Sequence, residues 1–223
     1  MKSVALTCFT DVLCVWAWIG ERRLAELRRT QGGAVTVTQR FCNVFGATAQ
    51  KIQANWGANG GYDGFASHLA HVLESFPELT TSPDLWRGVR PASSLPAHLA
   101  LKAVQAQEAE GGAAGLGDRA ILGVRQAFFR QGRNVSEASV LDAVLSEAGA
   151  DLDDVHARLA RGEAHAALMS DYQEAQALGV KGSPSLVLNE GRQTLYGNVG
   201  FRVIEANIAE LLREPEAGAA SWC

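Results

Sequence analysis

At 223 residues the chain can bury a substantial core, either as one large domain or as one domain carrying an insertion. Hydrophobic residues make up 47% and charged residues 20%, as in an ordinary globular protein, and a net charge of −4 with no basic run argues against a nucleic-acid partner. No apolar run approaches the roughly 20 residues of a membrane-spanning helix, so no membrane partner is expected.

Met1-Lys2-Ser3 leads straight into Val4-Ala5-Leu6-Thr7-Cys8-Phe9, a run too short for a signal sequence, and a cytoplasmic location is expected. That run has little polar alternation and predicts a strand buried on both faces. After the turn at Cys14, the residues Ala17, Gly20, Leu24 and Leu27 recur at helical spacing, and Gln31-Gly32-Gly33 closes the helix. Val35 to Phe41 is β-branched and alternating, so it predicts a second strand, parallel to the first through a right-handed crossover.

From about residue 44 to 178 the pattern is helical. Ser93 or Ser94 can cap a helix with Pro96 in its first turn, Ile121, Val124 and Phe128 form the core face of another, and Ser136 and Asp151 are further capping candidates. Gly179 fits a left-handed helix end. Residues 185–189 and 192–196 predict a hairpin, and Phe201, Ile204, Ile208 and Leu211 a last helix. A βαβ start, a helical middle and a ββα end give an α/β chain with a thioredoxin-like fold and a large all-helical insertion. The expected division is residues 1–43 and 179–213 for the thioredoxin-like domain, 44–178 for the insertion and 214–223 for a flexible tail.

Cys14 stands on the predicted strand-to-helix turn, where the helix dipole favours a thiolate, the nucleophilic form of the side chain. Cys8, Cys14, Cys42 and Cys223 show neither zinc nor disulfide-scaffold spacing. His68 and His71 share a helical face with Glu74, but no further ligands have suitable spacing, so no metal is expected. In Gly179-Val180-Lys181-Gly182-Ser183-Pro184-Ser185, a proline opening a strand after a glycine-containing turn is a candidate cis peptide.

Asp11-x-x-Cys14-x-Trp16, the segment Ala127 to Asn134 and Gly179-Val180-x-Gly182-Ser183-Pro184-Ser185 together resemble the DsbA-like thiol–disulfide oxidoreductases, most nearly the FrnE-type branch. The resemblance covers residues 3 to about 213. It implies a Cys-Pro-Trp-Cys nucleophile motif, an insertion capping the active site, and a cis-proline turn beside the cysteine whose preceding residue binds substrate. Here Val15 replaces the proline and Ala17 the second cysteine.

The resulting expectation is a monothiol enzyme. Cys14 is the catalytic residue, Trp16, Ser183 and Pro184 bind substrate, and a thiol or disulfide, from a protein or a small molecule, is the partner. The mixed disulfide is resolved by an external thiol, with glutathione the candidate co-substrate, or by Cys42, the best placed internal thiol although a small core residue is the stronger reading there. The runner-up is a glutathione-dependent transferase or isomerase similar to the kappa glutathione transferases and 2-hydroxychromene-2-carboxylate isomerases, which carry serine where Cys14 stands. A third reading is a binding module that uses the same groove without turnover.

Overall fold

The computed structural model describes residues 3–213; the expected flexible tail at 214–223, with Cys223, lies outside the described residues. β1 (Val4–Thr10) pairs in parallel with β2 (Val35–Phe41) and antiparallel with β3 (Ser185–Leu188), which in turn pairs with β4 (Gln193–Tyr196). The sheet order is therefore β2-β1-β3-β4. β1 is central in the sheet, but the expected burial on both faces holds only for its second half: Ala5 is exposed and Thr7 half-buried, whereas Cys8, Phe9 and Thr10 are all buried.

α1 (Val15–Gln31) makes the crossover between β1 and β2, and α9 (Phe201–Leu212) follows β4. Both pack on the face that carries Val4, Leu6 and Cys8, joined by Leu24, Leu27, Ile204 and Ile208. Seven helices separate β2 from β3: α2 (Thr48–Trp56), α3 (Gly61–Glu74), α4 (Leu95–Ala109), α5 (Leu116–Phe129), α6 (Ala138–Ala148), α7 (Leu152–Ala160) and α8 (Glu163–Ala177). Their apolar core is continuous with Val12, Leu13, Trp18 and Phe41 at the C-terminal edge of the sheet. On the sheet's other face Phe9 and Val187 meet Ala175 of α8.

Two expected caps do different work. Of the two candidates for α4, Ser94 stands at the N-cap but its hydroxyl donates to Asp11 Oδ2 at 2.8 Å, and it is the Ser93 hydroxyl that accepts from the helix, from Leu95 N–H at 3.0 Å. Ser136 caps nothing; its hydroxyl donates to the Ser93 carbonyl at 2.8 Å and ties two loops together. Asp151 does cap α7, accepting from the N–H groups of Asp153 and Asp154. Gly179 adopts φ +66°, the left-handed conformation expected after α8. No helix among the described residues is long and apolar enough to cross a membrane.

Candidate active site

Four backbone segments meet where β1 ends, and one residue joins them. Asp11 is wholly buried. Its Oδ1 accepts from Leu13 N–H at 3.0 Å, and its Oδ2 accepts from Val44 N–H at 3.1 Å, Phe45 N–H at 2.8 Å and the Ser94 hydroxyl. Its own N–H donates to Ser183 Oγ at 2.9 Å. The turn leading to Cys14, the exit of β2, the start of α4 and the turn before β3 are thus held in one frame.

On that frame Cys14 is the N-cap residue of α1, and its Sγ–H donates to the carbonyl oxygen of Ser183 at 3.1 Å. The Ser183–Pro184 peptide is cis, as the turn sequence predicts. Cys14, Trp16 and Ser183 line one cleft of about 350 Å³, bounded by the β2 exit, α2, α3 and Tyr196 of β4. Pro184 lies on the other side, lining a cavity of about 20 Å³ behind Ala17 with Cys8, Glu21 and Arg125. Trp18 is core, stacked on Phe129 with ring centres 5.6 Å apart, while Trp16 is only partly buried.

The electrostatics of Cys14 correct the expectation drawn from the helix dipole. Cys14 is only 6% exposed, and burial pushes its thiol above the ordinary range. The backbone N–H groups of Ala17 and Trp16 and the Ser183 hydroxyl favour the thiolate, whereas the nearby Asp11 charge opposes it. Burial wins. The resting group is a thiol pointing at a carbonyl, with thiolate-stabilising donors already in place around it.

Among the described residues the other thiols lie outside this cleft. Cys42 is buried with Phe9, Ala175 and Val187, and burial drives its thiol strongly upward. Cys8 is core on the opposite face of the sheet, its thiol pushed up to about 11 by burial. His68 lines the cleft against the Trp56 ring at 4.9 Å, and His71 pairs with Glu74 at the surface. Among the described residues no group of three or more His, Cys, Asp or Glu side chains could hold a metal ion.

Several residues here escape sequence reading. His98 is fully buried; its Nε2 accepts from Val12 N–H at 3.3 Å and its Nδ1 faces the Tyr172 hydroxyl at 3.4 Å. Arg125 is buried on α5 and reaches the Thr10 hydroxyl, Gln39 Oε1 and the Glu21 carboxyl. A charge among Ile121, Val124 and Phe128 was the available signal for Arg125. Lys51 and Lys181 also line the Cys14 cleft, and nothing in local spacing marks Lys51.

A model of the DSBA-like thioredoxin domain matches residues 5–209. The chain belongs to the DsbA-like family. Solved structures share the fold of this DsbA-like chain at low identity. A candidate protein disulfide isomerase from Nitrosomonas europaea is 16% identical with a TM-score of 0.76, over 95% of this chain and 98% of that one. The cytosolic disulfide reductase DsbM from Pseudomonas aeruginosa, solved also with glutathione, is 20% identical with a TM-score of 0.65, over 92% and 98%. A 2-hydroxychromene-2-carboxylate isomerase is 16% identical with a TM-score of 0.64, over 93% and 95%. No curated protein matches the sequence.

Proposed function

We propose that this DsbA-like protein is a cytoplasmic thiol–disulfide oxidoreductase with Cys14 as its single active-site nucleophile. The observation that carries the reading is Cys14 at the N-cap of α1, its sulfur held at Ser183 on the wall of an open cleft, while Ala17 occupies the place of a partner thiol. Cys14 loses its proton and the thiolate attacks one sulfur of a bound disulfide. A Cys14–substrate S–S bond forms as the substrate's own S–S bond breaks, and the departing thiolate takes up a proton. An external thiol, glutathione in our reading, then attacks the substrate sulfur of the mixed disulfide; a new S–S bond joins it to the substrate half as the Cys14–substrate bond breaks, and the released Cys14 thiolate takes up the proton the attacking thiol gave up. The N–H groups at the start of α1 stabilise the thiolate at the moment it forms.

Exposure to glutathione disulfide should add one glutathione at Cys14, located by peptide mass spectrometry. Because burial holds the thiol up, the rate should climb with pH through and beyond the ordinary thiol range. Absence of an adduct at Cys14 in the folded protein across that range rejects the reading. Cys42→Ser should leave release of the adduct by reduced glutathione unchanged; dependence on Cys42 would move resolution inside the chain.

The elevated thiol favours a second reading, a glutathione-dependent transferase or isomerase. A protonated group at this position would hydrogen-bond a bound thiol rather than attack it. Calorimetry separates the two: this second reading requires noncovalent binding of reduced glutathione that survives Cys14→Ser.

A further inference from the structure

The chain has only four lysines, against sixteen arginines, and two of the four, Lys51 and Lys181, line the Cys14 cleft. Lys102 is committed elsewhere, its Nζ 3.0 Å from Asp171 Oδ2. Lys51 and Lys181 have no carboxylate partner among the described residues, and no Asp or Glu lines the cleft with them. Lys51 Nζ stands over the face of Phe45, 5.2 Å from the ring centre, and Lys181 is exposed two residues before Ser183. In a chain of net charge −4, this cleft is a local positive site with apolar walls, the arrangement that focuses a field on an incoming anion. Its volume of about 350 Å³ suits a small molecule.

We propose that the cleft selects small disulfides bearing carboxylates, which Lys51 and Lys181 hold while a substrate sulfur meets Cys14. The inference rests on the reading of Cys14 as the nucleophile. The exchange is balanced: the Cys14 thiol and a disulfide give a mixed disulfide at Cys14 and one free carboxylate-bearing thiol. A monothiol site needs its substrate delivered and positioned by binding alone, since no second cysteine in the motif captures the product. Lysine suits that task, as a flexible point charge that can follow a carboxylate through both exchange steps.

Three probes of nearly equal size test it: 3,3′-dithiodipropionate, a dianion, bis(2-hydroxyethyl) disulfide, neutral, and cystamine, a dication. Rates of adduct formation at Cys14, located by peptide mapping, are divided by the rates of the same probes with 2-mercaptoethanol. At about 10 mM ionic strength the dianion should lead the dication by about tenfold or more, and about 1 M salt should collapse that lead. The double variant Lys51→Gln/Lys181→Gln should bring the three normalised rates to within about twofold of one another by removing the cleft's field, while reaction with the neutral probe continues. Equal normalised rates at low salt, a lead for the dication, or a dianion preference that survives the double variant overturns the inference and leaves Cys14 a nucleophile. No labelling by any probe removes the nucleophile itself and the inference with it.

Discussion

The carboxyl group of Asp11 accepts four hydrogen bonds inside the protein and also stands close enough to Cys14 to disfavour its thiolate. One residue therefore carries two opposed effects, and substitution should separate them. Asp11→Ala would leave the buried N–H groups of Leu13 and Phe45, the partly buried N–H of Val44 and the buried Ser94 hydroxyl without their acceptor. A buried group so abandoned costs about 1–3 kcal/mol, and partial relaxation should hold the total near 3 kcal/mol, read from urea unfolding. The isosteric Asp11→Asn removes the charge and keeps the shape. Its Cys14 should be alkylated faster at neutral pH, with the alkaline limb of the pH–rate profile moved to lower pH. An unmoved limb would mean that Asp11 acts on Cys14 only through position. Sequence could name Asp11 but not decide its role, because its partners lie 2, 33, 34 and 83 residues away. The same is true of the cleft. Cys14, Trp16 and Ser183 were legible from a short ordered motif, whereas Lys51 reaches them only through the packing of α2.

Among the elements, the first turn of α1 matters most, since it holds Cys14 at the N-cap and Ala17 one turn on. The Ala17 N–H donates to the Cys14 carbonyl at 3.1 Å, and the cavity of about 20 Å³ behind Ala17 is room for about one water. A sulfur placed at that β-carbon has space, and it would be one helical turn from Cys14. Ala17→Cys should therefore form an intrahelical disulfide with Cys14 on oxidation and gain a dithiol-type insulin-reduction activity. A variant that forms the bond but reduces insulin no faster than the parent would mean that the cleft excludes protein substrates. The order of elements was readable because the elements keep their own periods: β1 mostly apolar, β2 alternating, the helices amphipathic. Where the insertion meets the sheet, the contacts were not readable. Arg125 of α5 and Asp171 of α8 are charges on otherwise packed faces. Asp171 accepts from Phe41 N–H at 3.0 Å and pairs with Arg40 and Lys102, so its role exists only once α8 lies beside β2.

At the scale of the whole molecule, the apolar core of the insertion runs on into Val12, Leu13 and Phe41 at the C-terminal edge of the sheet, and His98 sits at that junction. Its ring stacks on Phe41 of β2 with centres 4.5 Å apart, and its Nε2 takes the Val12 N–H of the active-site turn. Burial lowers its basicity, outweighing the pull of Asp11 and Asp171 in the other direction, so the native fold holds it neutral. In the unfolded chain the same imidazole titrates at its ordinary 6.5. Above that pH neither state binds the proton, and the group contributes no pH dependence. Below it the unfolded chain is protonated first, and stability falls as pH drops, by up to about 1.4 kcal/mol per unit, until the pH reaches the lower native value. His98→Gln keeps an acceptor for Val12 and removes the titration. Urea unfolding of both proteins between about pH 6.5 and pH 5 should therefore show the parent losing stability more steeply than the variant. Because His98 touches the turn that leads to Cys14, the same acid range should loosen the site along with the junction, and hydrogen exchange at Val12 should rise in the parent before global unfolding does. Equal slopes in the two proteins would mean that His98 is protonated in the fold or reached by water, and the junction would then be no pH-sensitive contact at all.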